Sequence, residues 1–118
     1  MLVVYQYPKC STCRRALKWL DENKVAYTAK SIVDETPDAD TLLSIIEGSK
    51  LPLRRFFNTS GQVYREGGYS AKVPTMTARE ASEALASNGM LIKRPLVISD
   101  AHVLVGFKED AWAAKLLP

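Results

Sequence analysis

Short apolar runs and amphipathic stretches alternate along the chain and predict both strands and helices. The run Leu2–Tyr5 is apolar, β-branched and aromatic, which is typical of a buried strand. From Ser11 to about Asn23 the residues favour an amphipathic helix with one apolar stripe. Apolar positions between Val25 and Val33 predict a second strand. The first part of the chain therefore has the predicted order strand, helix, strand.

A second helix is predicted from a start signal, an apolar face and a stop signal. Thr36 is the predicted N-cap, and Pro37 occupies the first helical position, where its missing N–H is no loss. Leu42–Ile46 supply the apolar face, and Gly48 can end the helix.

Helical and irregular segments alternate over the next forty residues. Leu51–Phe57 predicts a short helical turn, while Asn58–Gly61 and Gly67–Gly68 predict irregular loops. Thr77–Glu80 is a capping box that opens a helix, which we expect to stop at Asn88–Gly89.

The end of the chain predicts a hairpin followed by a helix. Leu96–Ile98 and Val103–Val105 are short apolar runs with a polar connection, and Lys108–Leu117 is amphipathic. The order β-α-β, helices, β-β-α predicts an α/β protein with a thioredoxin-like fold and a mixed sheet. We expect residues 1–118 to form a single domain with a helical insertion at about 37–90.

Composition and charge exclude several classes of protein. The 118 residues are 47% hydrophobic and carry a formal net charge of +3, spread along the chain, so direct binding of nucleic acid is not implied. Apolar stretches are too short to span a membrane, and the start Met1–Val4 has no basic leader. We therefore expect a cytoplasmic protein, and we also expect a monomer.

The two cysteines lie three residues apart where the first strand meets the first helix. Unpaired N–H groups in the first helical turn favour a thiolate, so the pKa of Cys10 should fall below the free value of about 8.5. Cys13 lies one turn further on the same face, close enough to attack a mixed disulfide at Cys10. Ser11 and Thr12 could donate hydrogen bonds to a sulfur or an oxyanion. Lys9, Arg14 and Arg15 add positive charge nearby.

Two other interpretations of the cysteines stay open from the residues alone. Half of a zinc site would need about four ligands, and besides the two cysteines only His102 is available. Alternatively, both thiols could simply fill the core, because buried Cys is common. The strand-to-helix position favours redox chemistry over both.

Two motifs together resemble the ArsC/Spx family of arsenate-reductase-like proteins. The first is Tyr5–Arg14, which contains the cysteine pair, and the second is Leu91–Leu96, about eighty residues later. The similarity extends over nearly the whole chain, including Asn58–Gly61 and Gly106–Glu109. It implies a thioredoxin-like fold with a helical insertion, which agrees with the predicted order of elements.

The resemblance implies roles for individual residues. Cys10 is similar to the family nucleophile, and Arg94 to the arginine that holds an oxyanion or a thiol adduct. Pro95 resembles the proline that is cis in thioredoxin-like proteins, and Arg14 also matches. We assign Cys10, Cys13 and Arg94 to catalysis. Substrate binding is assigned to four residues: Ser11, Thr12, Arg14 and Pro95.

The chain also departs from the family pattern. Two arginines that join Arg94 around the oxyanion in glutaredoxin-linked arsenate reductases align with Asn58 and with the region of Phe107–Lys108, and Gln6 replaces a histidine. One arginine binds an oxyanion less well than three. Cys13 replaces a serine, so this chain could close its own disulfide.

These features predict a thiol–disulfide oxidoreductase without a bound cofactor or metal. Its substrate would be a small oxyanion or a disulfide, and thioredoxin, glutaredoxin or glutathione would return the electrons. The alternative is a Spx-like redox-sensing regulator that binds the C-terminal domain of the RNA polymerase α subunit. Spx uses a glycine for this binding that aligns near Pro52 of this chain, and the difference argues against the alternative. A third reading is a structural module with silent thiols. A small basic patch formed by Lys50, Arg54 and Arg55 could dock an anion or an acidic surface.

Overall fold

The computed structural model describes residues 2–118, and their contacts divide the chain into two compact units. The first unit runs up to Ser31 and resumes with Arg94–Pro118, and the second is Ile32–Lys93. The second unit contains the predicted insertion, while the single domain stays a prediction. Met1, part of the start used to argue against a leader, lies outside the described residues. None of the helices formed by residues 2–118 is long and apolar enough to cross a membrane.

The chain contains four strands and six α-helices among the described residues. In chain order they are β1 (Val3–Gln6), α1 (Ser11–Glu22), β2 (Thr28–Ser31), α2 (Ala39–Ser49), α3 (Gln62–Glu66), α4 (Tyr69–Lys72), α5 (Ala78–Ser87), β3 (Leu96–Ile98), β4 (Val103–Val105) and α6 (Glu109–Leu116). Short 3₁₀ turns cover Leu53–Phe56, Val73–Thr75 and Gly89–Leu91.

The first unit is built on a mixed sheet with the strand order β2-β1-β3-β4. Strand β1 runs parallel to β2 and antiparallel to β3, and β3 pairs antiparallel with β4. Because β1 is an inner strand, Val4 and Tyr5 are buried, and the chain then turns directly into α1. The predicted mixed α/β fold is confirmed, and its central strand delivers Cys10 to the start of a helix.

The core of the first unit lies between the sheet and its helices. Six buried side chains form it: Leu2, Val4, Ala16, Leu20, Val97 and Trp112. The indole N–H of Trp112 donates to the carbonyl of Gly106 at 3.1 Å, so this large residue is buried with its polar atom satisfied. Trp19 packs edge-on against Trp112, with ring centroids 6.0 Å apart. The apolar stripe of α1 is thereby fixed, and with it the position of the helix start.

Helices α2 and α5 pack together in the second unit, and α5 begins as predicted. The Thr77 hydroxyl accepts from the N–H of Glu80, and the Glu80 carboxylate accepts from the N–H of Thr77, at 3.0 and 2.9 Å. The helix is followed by Gly89. A glycine is required at this position because a Cβ would collide with the backbone carbonyl of Ile32.

The predicted boundaries of the second helix are wrong. Asp38 is the N-cap of α2, since its carboxylate accepts from the N–H of Thr41 at 2.8 Å. The Thr36 hydroxyl instead donates to the carbonyl of Ile32 in the preceding turn, at 2.6 Å. At the other end the helix continues through Gly48 to Ser49, and Lys50 adopts the left-handed conformation with φ 59°.

Two further predictions differ from the structure in extent. Strand β2 covers only Thr28–Ser31 of the predicted Val25–Val33, because it lies at the edge of the sheet and is paired along one side by β1. Gly67 and Gly68 do form a turn, but helices α3 and α4 flank it, and the sequence did not predict them.

Candidate active site at the start of the first helix

Cys10 is the N-cap residue of α1. Its backbone is extended, with φ −91° and ψ 114°, and its sulfur accepts a hydrogen bond from the backbone N–H of Cys13 at 3.3 Å. Its own N–H donates to the carbonyl of Tyr7 at 3.0 Å, which closes the turn between β1 and α1. The sulfur therefore occupies the place where a serine or aspartate oxygen usually caps a helix.

The surroundings of Cys10 favour its thiolate. Burial of the half-exposed side chain disfavours the charge, but four opposing effects outweigh it. The thiol and the backbone N–H of Cys13 both donate to the sulfur, and the Arg94 side chain acts on it through its positive charge and as a hydrogen-bond donor. Together they lower the pKa of Cys10 below its ordinary value. The prediction of a lowered pKa has the same direction.

Cys13 has the opposite character. Its side chain is fully buried, and burial raises the pKa of this thiol to about 12, helped by its hydrogen bond to Cys10 and by the charge of that residue. Cys13 thus stays a neutral donor when Cys10 ionises. Two of the causes that hold the Cys13 proton vanish when the Cys10 sulfur forms a covalent bond and loses its charge. The two thiols therefore differ in acidity in the way that an attacking and a resolving thiol would.

The Arg94 guanidinium lies beside Cys10 with donors to spare. Its Nε and Nη1 atoms are buried, and neither finds a hydrogen-bond partner among the described residues. A buried donor of a charged group without a partner costs free energy, because the group has lost its hydrogen bonds to water and has formed none in the protein. The geometry therefore leaves Arg94 able to hold an anion or a polar substrate atom next to the Cys10 sulfur.

Tyr7 holds the other side of this guanidinium. The Cζ atom of Arg94 is 5.1 Å from the centre of the Tyr7 ring, within the range of a cation–π contact. From the sequence, Tyr7 was noted only as part of the Tyr5–Arg14 motif. Its aromatic character beside the cysteines was visible, but nothing in the spacing indicated that a residue nearly ninety positions away would stack on it.

The remaining predicted site residues lie around this centre. Ser11 and Thr12 form the first turn of α1, and the buried Pro95 follows a cis peptide bond from Arg94. Arg14 is exposed, and its Nη1 donates to the carbonyl of Pro8 at 2.8 Å, which stabilises the turn between β1 and α1. Its predicted part in substrate binding stays a prediction, as do those of Ser11 and Thr12.

The predicted zinc alternative has no cluster to support it among residues 2–118. No group of three or more His, Cys, Asp or Glu side chains is arranged to hold a metal ion there, and Cys10 and Cys13 are both free thiols. His102 lies in the turn between β3 and β4, where its backbone N–H donates to the Ser99 hydroxyl.

The pH dependence of alkylation should separate the two thiols. We expect the rate of Cys10 modification by iodoacetamide to reach half its maximum at a lower pH than for an unperturbed cysteine, about 8.5. Cys13 should stay unmodified over the same range, because it is buried and its pKa is raised to about 12. Mass spectrometry of tryptic peptides measures both rates. A Cys10 midpoint at or above that of a free cysteine would contradict the site as described.

Comparison with known proteins agrees with the fold. The model of the ArsC family matches residues 5–115. The uncharacterized protein YusI of Bacillus subtilis (strain 168) is 48% identical over 111 residues, 94% of each chain. A crystal structure from Streptococcus mutans UA159, described as a possible arsenate reductase, is 45% identical with a TM-score of 0.87 and 92% coverage of each chain.

A more distant relative is described as a transcriptional regulator. The global transcriptional regulator Spx 2 of Bacillus anthracis is 25% identical over all 118 residues, which correspond to 88% of its length. The family model alone covers nearly the whole chain, from the strand before Cys10 to the last helix. The chain belongs to the ArsC family.

Proposed function

We propose that this protein is an arsenate-reductase-like thiol–disulfide oxidoreductase. The observation that carries the proposal is the asymmetric cysteine pair. Cys10 caps a helix with a lowered pKa beside a cation, and the buried Cys13 donates to its sulfur with a raised pKa. A nucleophile that is ionised and a second thiol that stays protonated until it is needed are the two parts of such a reaction.

With a disulfide substrate the reaction has two steps. The Cys10 thiolate attacks one sulfur of the substrate, forms a mixed disulfide and releases the other half as a thiolate. Cys13 then gives up its proton and attacks the Cys10 sulfur, which forms the Cys10–Cys13 disulfide and releases the second half. Two electrons pass from the cysteine pair to the substrate, and thioredoxin, glutaredoxin or glutathione returns them.

With arsenate the same residues would act on a different adduct. Arg94 would hold the oxyanion while Cys10 displaces an oxygen, released as water, to form a sulfur–arsenic bond. Attack of Cys13 on the Cys10 sulfur would then break that bond, leave both electrons on arsenic and release arsenite. Asn58 and Lys108 replace the arginines expected nearby, so we expect slower turnover of arsenate than of a disulfide.

A coupled assay tests the proposal and orders the substrates. The protein is offered a model disulfide or arsenate, with either the thioredoxin system or glutathione and glutaredoxin as reductant, and NADPH oxidation is followed. We expect turnover of the disulfide to exceed turnover of arsenate. Turnover of neither oxidant with either reductant would refute the enzymatic function.

A redox-sensing regulator is the second candidate. It is supported by the similarity to Spx 2 over the whole chain and by the presence of the paired thiols. Its partner would be the C-terminal domain of the RNA polymerase α subunit. The test is whether that domain binds the reduced or the oxidised protein. Binding that is lost when Arg94 is replaced would favour this function over the enzyme.

A further inference from the structure

A two-lobed groove lies within the second unit, away from the cysteines in sequence. We use this name for two adjoining cavities, of about 750 Å³ and about 310 Å³, that share Pro52, Arg54 and Thr59 in their walls. The larger volume is in the range of sites that enclose small organic molecules, roughly 300–1,000 Å³. The residues that line the groove include neither cysteine, nor Arg94, nor any residue of the four strands.

The smaller lobe is cationic. Arg54, Arg55 and Lys93 line it beside the ring of Phe57. None of the described residues that line either lobe is acidic. Of these cations Arg54 borders both lobes, and it forms no ion pair with any described residue. This lobe therefore has an uncompensated positive charge and favours an anionic group.

The larger lobe is mainly apolar. Leu53, Val73, Pro74 and Met76 form much of its wall, and the buried Tyr64 adds an aromatic face. The Tyr64 ring is held in place by aromatic neighbours, with ring centroids 6.2 Å from Phe57 and 6.1 Å from Tyr69. A rigid aromatic wall with aliphatic neighbours suits a flat, apolar ligand body.

We propose that the two-lobed groove binds a small amphipathic carboxylate with an aromatic body. The carboxylate would lie in the smaller lobe against Arg54, whose planar guanidinium can donate two parallel hydrogen bonds. The aromatic body would lie in the larger lobe against Tyr64 and Met76. The hydroxyl of Thr59 lies in the wall that both lobes share and can donate to the same carboxylate. Binding is non-covalent and needs neither cysteine, so this site stands or falls independently of the oxidoreductase.

The test uses 2-naphthoate, its neutral analogue 2-naphthylmethanol, and inorganic phosphate as probes. Each is titrated into the ¹⁵N-labelled full chain, and backbone amide shifts are followed by NMR. We expect naphthoate to shift the amides of groove residues in a saturable way, with both other probes at least roughly tenfold weaker, since each lacks one half of the recognition.

Matched variants then locate the charge. Arg54→Gln should weaken naphthoate binding roughly tenfold, while Lys18→Gln, which removes an exposed cation from α1, should leave it unchanged. Both positions are exposed, so neither change is expected to disturb folding. The proposal is overturned by any of four results: no saturable shifts, equal binding of naphthylmethanol, equal binding of phosphate, or undiminished binding to Arg54→Gln.

Discussion

Replacing Cys10 by Ser is expected to reduce the rate of disulfide reduction by at least roughly a thousandfold, because the variant lacks the only thiol in the described site whose pKa is lowered. Cys13 is not expected to substitute for it, since this thiol is fully buried and burial, the largest cause that raises its pKa, does not depend on Cys10. The measurement is the steady-state rate of the coupled assay. The same change should abolish alkylation by iodoacetamide at neutral pH.

Cys13→Ser is the matched control for this prediction. The variant keeps the nucleophile and loses only the resolving thiol, so the first step should proceed and the second should stop. Mass spectrometry should then find the substrate's half-molecule attached at Cys10. A Cys10→Ser protein that retains activity, or a Cys13→Ser protein that turns over unchanged, would show that the roles are assigned wrongly.

Replacing Arg94 by Met is expected to lower activity about a hundredfold without lowering stability. The positive charge of Arg94 is one of the causes that lower the pKa of Cys10, so its removal raises that pKa and moves the alkylation profile to higher pH. It also removes the Nε and Nη1 donors, which have no hydrogen-bond partner among the described residues.

The stability of Arg94→Met distinguishes a functional arginine from a structural one. Buried donors that lack partners destabilise the fold, so an apolar side chain of similar length should keep or raise the free energy of unfolding, by about 1 kcal/mol. Urea unfolding measures this. Arg94→Lys is the control, because it keeps the charge and loses the fork. A marked loss of stability in Arg94→Met, with the Cys10 pKa unchanged, would mean that Arg94 mainly supports the structure.

The sequence predicted those features of the site that depend on local geometry. A cysteine directly before an amphipathic helix must meet unpaired N–H groups, and the Cys10 sulfur does accept one. The local sequence could not predict which basic side chain would lie beside the Cys10 sulfur. Arg14 is close in sequence but is bound to Pro8, while Arg94 arrives from the turn before β3 and acts on the Cys10 pKa. The family resemblance, rather than the local pattern, identified Arg94.

The errors in the predicted helix boundaries also arise from contacts that form only in the folded chain. Thr36 and Asp38 are both good N-caps, and the choice between them depends on whether the hydroxyl has another partner, which only the folded turn supplies. The helix end at Lys50 reflects a left-handed residue that a sequence rule would assign to a glycine. By contrast the capping box of α5 is self-contained within Thr77–Glu80, so its prediction was confirmed.

In the proposed function, Cys10 and Cys13 cycle between two thiols and an intramolecular disulfide. This cycle is tested most directly by equilibrating the wild-type protein in glutathione buffers of increasing oxidation and measuring the mass of the acid-quenched products. We predict a two-electron transition to a species lighter by two hydrogens, with both cysteines protected and no glutathione attached. A product that carries glutathione on Cys10 with Cys13 still free would contradict this account, because it would show that the buried thiol does not resolve the adduct.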